Sequence, residues 1–166
     1  MTICPGCGLQ SASGGGAPSD RLQASWACWQ LYGELAAYDM ARFDPGFLHQ
    51  EAVDAYEAQH AGGPAKPITA VFALVGLYLF LEHRFTGRQV QQAHVALGRR
   101  HLAWPHWDPP AQTFLITVAD VLRAAPGQAR DSAIRDWAEC TWQAWAERHE
   151  DVRELCGRLL GIAARP

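Results

Sequence analysis

The stretch ITAVFALVGLYLFL, residues 68–81, decides the fold of this chain. Wound as a helix, it is apolar on nearly every side, which is typical of a helix that neighbouring elements cover completely. It is shorter than the roughly 20 residues that a membrane-spanning helix needs. We therefore predict a central buried helix over 68–83, around which the rest of the chain packs.

Two helices are predicted before this central helix. Ser25 is a good N-cap for a first helix that runs to Phe43. Asp44 then offers a second N-cap, with Pro45 at the first helical position. The second helix is expected to end near His60, because a Gly-Gly-Pro run follows shortly after it.

More helices are predicted after the central one. Thr86 and Gln89 have the spacing of a capping box, which opens a helix. The loop WPHWDPP, residues 104–110, is excluded from a helix by its prolines. The remaining predicted elements are a short helix over 118–124 and a long segment from Ser132 that is broken near His149.

Length and composition limit the number of domains that the chain can form. The chain has 166 residues, of which 49% are hydrophobic, and this is enough for one well-buried core and short for two. No alternating pattern of the kind that marks strands persists. The sequence therefore predicts an all-α fold, a single compact helical bundle of about five to six helices. The predicted organisation is one domain, 1–166, made of a metal knuckle (1–8), a flexible Gly- and Ser-rich linker (9–20) and the helical bundle (25–166).

Charge and the N-terminal residues restrict location and partners. The formal net charge of −3 argues against a general nucleic-acid binder, because non-specific affinity for phosphate needs an excess of Lys and Arg. The first residues lack the charged segment, apolar run and cleavage site of a signal peptide. We expect a cytoplasmic protein that does not enter a membrane, in which the five cysteines are thiols or metal ligands.

The motif CPGCG, residues 4–8, is the clearest chemical signal. Two thiolates in one tight turn can bind a tetrahedral metal ion, while backbone N–H groups donate to the sulfurs and glycine permits a positive φ. Zinc is the metal that this pattern favours. A thioredoxin-like redox pair shares the spacing but requires a helix directly after it, where this chain has the glycine-rich linker. A structural turn without metal is the third interpretation.

Cys28 and His60 are the predicted remaining ligands. Cys28 lies in the first turn of the first helix, where the helix dipole stabilises a thiolate. If the first two helices form an antiparallel hairpin folded at Asp44, residues level with each other have numbers that sum to about 88. Cys28 then faces His60. The alternatives are a small buried apolar cysteine and a histidine that merely ends a helix.

A second polar site is predicted around His49. The same register places His49 opposite Asp39, and roughly 16 Å of helix separates His49 from His60, so the two histidines cannot bind one metal ion. Asp54 and Tyr56 add two more proton-transfer groups, a density that could serve a hydrolytic site. Asp54 lies about 140° round the helix from His49, which favours the alternative of a polar helix edge with a few buried hydrogen bonds.

Two surface features bear on partners. Trp137, Thr141 and Trp145 recur at helical spacing, which is typical of a core stripe or an oligomer contact. An exposed stripe would favour a homodimer. Four arginines either form a basic edge that binds an acidic partner or lie on solvated helix faces: Arg84, Arg88, Arg99 and Arg100.

Several strings taken together resemble one family. CPGCG is followed by CW at 28–29, by YGE at 32–34 and by H-x-x-x-V-D-A-Y-x-x-Q-H over 49–60, and TVADVL follows at 117–122. In these features the chain resembles a bacterial family of proteins, domain of unknown function 5946. The resemblance implies a small helical bacterial protein and supplies no activity.

Three functions follow from these motifs. The first is a structural zinc site, formed by Cys4, Cys7, Cys28 and His60, in a module that binds a partner protein or a small molecule. The second is a metal-dependent, hydrolase-like enzyme with three protein ligands and an open water position. The third, zinc-assisted nucleic-acid binding, is weakened by the net charge.

Overall fold

Seven α-helices account for most of the part of the chain that the structure describes. The computed structural model describes residues 1–12, 16, 19–111 and 114–163. Its helices are α1 (Trp26–Ala41), α2 (His49–Gln59), α3 (Pro67–His83), α4 (Gly87–Gly98), α5 (Val118–Arg123), α6 (Gln128–Ala144) and α7 (His149–Leu160). A 3₁₀ helix, Ala146–Arg148, lies between α6 and α7, and two strands, β1 (Thr2–Ile3) and β2 (Gln10–Ser11), precede α1. The all-α prediction is confirmed.

The central helix of the prediction is α3. It starts with Pro67 at the first helical position and ends where Arg84 adopts the left-handed conformation, with a φ of 57°. From Ala70 to Leu79 every residue of α3 except Phe72 is buried. Apolar side chains on nearly all sides of the helix therefore contact neighbouring elements, as the sequence predicts.

A glycine on α3 allows α2 to pack closely against it. A Cβ atom at Gly76 would overlap the carboxylate of Asp54, which is itself buried. Asp54 accepts a hydrogen bond of 3.0 Å from the side-chain amide of Gln50, one turn earlier on α2. The absence of a side chain at Gly76 thus makes room for a polar pair between two packed helices.

The second helix begins later than predicted. Asp44 does not cap it: its carboxylate accepts hydrogen bonds from the backbone N–H groups of Gly46, at 2.9 Å, and Leu48, at 2.7 Å. These bonds close a turn, and Phe47 within that turn has a left-handed φ of 58°. Helix α2 therefore starts at His49 rather than at Pro45.

The other predicted helices occur with small shifts. Thr86 and Gln89 form the reciprocal capping box at the start of α4. The long C-terminal segment is broken by the 3₁₀ helix just before His149. The stripe of Trp137, Thr141 and Trp145 is buried, so it belongs to the core and offers no exposed surface for a dimer.

The segment before α1 contains a small hairpin that the sequence did not predict. Thr2 pairs with Ser11 and Ile3 with Gln10, antiparallel. Strands of two residues are too short to leave a recognisable alternating pattern, which is why the composition indicated only a linker over 9–20. Of that predicted linker, residues 13–15, 17 and 18 lie outside the described residues.

Within the described ranges, no helix combines the length and the apolar character that crossing a bilayer requires.

Candidate metal centre

The motif CPGCG forms a tight turn inside the small hairpin. The backbone N–H of Cys4 donates to the carbonyl of Leu9 at 2.8 Å, and the N–H of Gly8 donates back to the carbonyl of Cys4 at 2.9 Å. Gly8 has a φ of 80°, a conformation that glycine adopts readily. The turn leaves both Cys4 and Cys7 only 1% exposed, against the helical bundle.

The start of α1 supplies the third thiol. The Oγ atom of Ser25 accepts a hydrogen bond of 3.3 Å from the N–H of Cys28, which is the N-cap bond predicted from the sequence. The backbone N–H of Ser25 donates to the Sγ atom of Cys4 at 3.4 Å. Ser25 therefore links the turn to the helix and places Cys28, which is fully buried, beside Cys4.

His60, directly after the last residue of α2, supplies a nitrogen. Its Nδ1 atom lies 2.6 Å from the carbonyl oxygen of Tyr56, to which it donates a hydrogen bond. This bond sets the tautomer and leaves Nε2 with a free lone pair, as in most histidines that bind metals. Nε2 lies 3.4 Å from the sulfur of Cys4 and 3.4 Å from the sulfur of Cys28.

The four side chains together have the dimensions of a zinc site. The ligand atoms of Cys4, Cys7, Cys28 and His60 all lie within 4.8 Å of one another, and the sulfurs of Cys7 and Cys28 are 3.7 Å apart. In a tetrahedral site with Zn–S bonds of about 2.3 Å and a Zn–N bond of about 2.0 Å, two sulfurs are separated by roughly 3.8 Å and a sulfur and a nitrogen by roughly 3.5 Å. This buried Cys₃His group can therefore bind a metal ion and is consistent with structural zinc.

The charges of the thiols favour a bound cation. Hydrogen bonds with Cys28 and Cys7 lower the pKa of Cys4. The same contacts with Cys4 and Cys7, together with burial, raise the pKa of Cys28. The pKa of Cys7 is also raised, to about 12, because Cys4 and burial outweigh the favourable bond with Cys28. Three thiolates cannot coexist here without a positive charge, which a bound divalent cation would supply.

A buried tyrosine hydroxyl beside the cluster is also consistent with a metal bound to the thiols. The Oη atom of Tyr56 has no hydrogen-bond partner among the residues that the structure describes. Burial and the neighbouring Cys28 raise the pKa of this hydroxyl. The ring of Tyr56 stacks on Tyr32, with ring centroids 4.0 Å apart, and contacts His60, with centroids 4.1 Å apart. A Cys28 thiolate bound to a metal would accept the hydrogen bond that Tyr56 lacks.

Gly6 is a structural requirement of the centre. A Cβ atom at this position would lie 2.5 Å from the carbonyl oxygen of Gln23 and 2.5 Å from Cδ2 of His60. The backbone N–H of Gln23 in turn donates to the carbonyl of His60 at 2.9 Å. Only glycine lets the turn approach the end of α2 closely enough for His60 to reach the thiols.

Comparison with protein families adds to this geometry. Residues 2–146 match a family described as a family of unknown function, DUF5946. The chain belongs to the DUF5946 family. This confirms the resemblance seen in the motifs, and the matched span includes all four residues of the cluster. No curated protein and no solved structure matches the chain.

The second predicted polar site of this DUF5946 chain does not form one group. Asp39 and His49 do face each other, with Oδ2 and Nδ1 3.7 Å apart. Asp54 instead bonds to Gln50 between α2 and α3, and Tyr56 lies at the Cys₃His cluster. The structure therefore divides the four residues among three places, as the angle between His49 and Asp54 indicates.

Glu51 is a buried acid that the sequence pattern does not indicate. Glu51 is only 2% exposed, although a glutamate in the first turn of a helix is ordinarily solvated. Its neighbours in sequence, Gln50 and Ala52, are buried too. A helix that is buried on most of its circumference despite a polar sequence leaves no signal in the hydrophobic pattern.

Proposed function

We propose that Cys4, Cys7, Cys28 and His60 bind zinc in a closed structural site, and that the domain is a non-catalytic module that binds a partner. The observation that supports this proposal best is the set of four ligand atoms within 4.8 Å of one another, on residues exposed by 1% or less. Structural zinc sites have four protein ligands, whereas catalytic sites keep one position for water or substrate.

Burial and the positions of the polar residues argue against the hydrolase-like alternative. A hydrolytic zinc needs a solvent-accessible position and a general base near the bound water. Of the three candidate groups, Tyr56 does lie at the cluster, but burial raises the pKa of its hydroxyl, so it offers no base at neutral pH. Asp54 is bonded to Gln50 between α2 and α3. His49 is at the opposite end of α2 from His60 and lies beside Asp39. Roughly 16 Å of helix separates the two histidines, which is too far for proton transfer to water on the metal.

The role of the zinc in this proposal is to attach the N-terminal hairpin to the bundle. The hairpin has strands of only two residues, and such a pair is not stable in water without further support. The metal would connect it to the start of α1 through Cys28 and to the end of α2 through His60. The domain then presents a rigid surface, and binding of a partner protein or small molecule is the function that remains for it.

The coordination shell tests this proposal. Zinc X-ray absorption on the untagged full chain is expected to show about three sulfurs at roughly 2.3 Å and one nitrogen at roughly 2.0 Å, with about one zinc per chain by elemental analysis. The Cys28→Ser variant is expected to lose the metal. Cys140→Ser, which alters a half-buried cysteine outside the cluster, is the matched control and keeps it. A shell that contains a water oxygen in place of a protein ligand would instead support the enzyme.

A further inference from the structure

A cavity of about 620 Å³ opens away from the metal cluster, and none of the four cluster residues lines it. Its walls come from the turn between α1 and α2, from the segment that ends α3, and from one face of α6. The α6 face carries Asp131, Arg135 and Glu139, spaced one turn apart. The volume is within the range of small-molecule sites, which is roughly 300–1,000 Å³.

Glu51 is the buried polar group of this cavity. It lines the cavity while being only 2% exposed, and its Oε2 atom has no hydrogen-bond partner in the described part of the chain. Burial raises the pKa of this carboxyl to about 9; Arg135 opposes the increase, while Asp44 and Asp39 add to it. A buried carboxyl without a partner is costly, and its position in a cavity indicates that the partner belongs to a ligand.

Two cations line the same cavity and also lack partners. Within the ranges described, the guanidinium groups of Arg84 and Arg135 form no hydrogen bond or salt bridge. The acids Asp131 and Asp44 are already engaged: Asp131 pairs with Arg42 at 2.7 Å, and Asp44 accepts the backbone hydrogen bonds of its turn. Glu139 is the other acid of the lining, and it is exposed at the rim. Arg135 lies close enough to Glu51 to lower its pKa, but no hydrogen bond or salt bridge joins the two side chains within the described residues.

The cavity also has an apolar part. Phe80 and Leu81, at the end of α3, line the cavity and pack with their inner sides against the core. Leu48 is buried and lines it from the turn before α2. A ligand that fits this lining has an apolar body and carries both charges.

We propose that this cavity binds a small zwitterion of the amino-acid class with an apolar side chain. Its ammonium group is bound by Glu51, which releases its proton to solvent as the ligand binds, because an adjacent positive charge favours the carboxylate. Its carboxylate is bound by Arg84 and Arg135, and its side chain by Phe80 and Leu81. Arginine pairs with carboxylates through two parallel hydrogen bonds, and an ammonium group donates to a buried carboxylate more strongly than a neutral donor does. The inference deepens the binding role proposed above and rests on it, but it involves none of the metal residues.

Titration calorimetry on the full zinc-loaded chain tests this site with three probes that share a phenyl body. L-phenylalanine carries both charges, phenethylamine only the ammonium group and 3-phenylpropionate only the carboxylate. We expect saturable 1:1 binding of phenylalanine, at least tenfold tighter than that of either analogue. No saturable binding of phenylalanine, or equal binding of a singly charged analogue, overturns the proposal.

Variants locate the binding on the cavity. Glu51→Gln and Arg135→Gln are each expected to weaken phenylalanine binding at least tenfold, and Arg135 is exposed, so its replacement leaves the fold intact. Glu154→Gln makes the same chemical change as Glu51→Gln on the exposed face of α7, outside the cavity lining, and should bind as the native chain does. Unchanged affinity in Glu51→Gln contradicts the assignment.

Zinc content, measured on the same samples, separates the two proposals. One zinc per chain in a protein that does not bind phenylalanine removes the amino-acid site and leaves the structural metal. Phenylalanine binding by a chain purified without metal removes the zinc proposal and leaves the cavity.

Discussion

The Nε2 atom of His60 lies 3.4 Å from the Sγ atom of Cys28, although 32 residues separate them in the chain. Cys28 belongs to the first turn of α1, and His60 directly follows α2. Their contact therefore joins the open ends of a helical hairpin whose closed end is the turn at Asp44. A metal ion bound between them would hold the hairpin together at the end where the chain does not.

This geometry predicts that the two histidines at the ends of α2 differ in their effect on metal content. His60→Ala removes a ligand atom and should reduce zinc to well below one per chain, as measured by elemental analysis. His49→Ala replaces a histidine of the same helix that faces Asp39 instead, and should retain the metal. Equal zinc in the two variants would show that His60 is not a ligand.

Removal of the metal should destabilise the protein measurably. With zinc stripped by a strong chelator at pH 7, three crowded thiols and one imidazole remain buried without a cation. We expect Tm to decrease by at least about 10 °C, which for a chain of this length corresponds to about 3 kcal/mol. Differential scanning calorimetry measures the decrease, and added zinc should reverse it. A Tm that does not respond to the chelator would mean that the site has no structural role.

Replacement of glycine by alanine should be harmful at Gly6 and stabilising at Gly33. Gly6→Ala places a Cβ atom 2.5 Å from the carbonyl oxygen of Gln23 and from His60, so the turn must move and zinc affinity should decrease at least tenfold. Gly33→Ala is the control, because a Cβ atom at that position of α1 meets no atom within 4 Å. It should increase the free energy of unfolding by about 0.5–1 kcal/mol through helix propensity. Competition with a chromogenic chelator and urea unfolding measure the two effects. A Gly6→Ala chain with native zinc affinity is incompatible with the close approach described.

Glu51 should make stability depend on pH. Its folded-state pKa is raised from 4.5 to about 9, so the neutral carboxyl is tolerated in the fold, and stability is lost as pH rises through this window. Glu51→Gln cannot ionise. The free energy of unfolding of this variant minus that of the native chain, measured by urea unfolding, should therefore increase between pH 5 and pH 8.5, by up to roughly 1 kcal/mol per pH unit.

The matched control for this pH effect is Glu154→Gln, whose carboxyl is exposed on α7. Its difference from the native chain should be independent of pH over the same window. The buried acid Asp54 and the half-buried Glu57 also have raised pKa values, but both remain in the native chain and in each variant, so their contribution cancels. A flat difference for Glu51→Gln would place its carboxyl in water.

Local signals in the sequence determined the helices and their caps. The stretch 68–81 is apolar on nearly every side, so it predicts a helix that neighbouring elements bury. Ser25 forms its predicted cap, and so does the pair Thr86 and Gln89, because these hydrogen bonds span only three residues. The Cys-x-x-Cys turn is equally local. The pairing of level residues in the hairpin, Cys28 with His60 and Asp39 with His49, also agrees with the structure, since the turn is centred at Asp44 as assumed.

Only the tertiary structure decided where that turn ends and what lies buried beside it. Asp44 could have capped a helix or closed a turn, and in either case its carboxylate accepts from backbone N–H groups a few residues later, so the local pattern does not choose between the two. The burial of Glu51 and its cavity is not local either, because it is created by α3 and α6, whose residues are distant in sequence. Hydrogen bonds within a few residues are encoded locally. The contacts that bury a charged side chain arise from the summed packing of several helices, and no single segment carries that information.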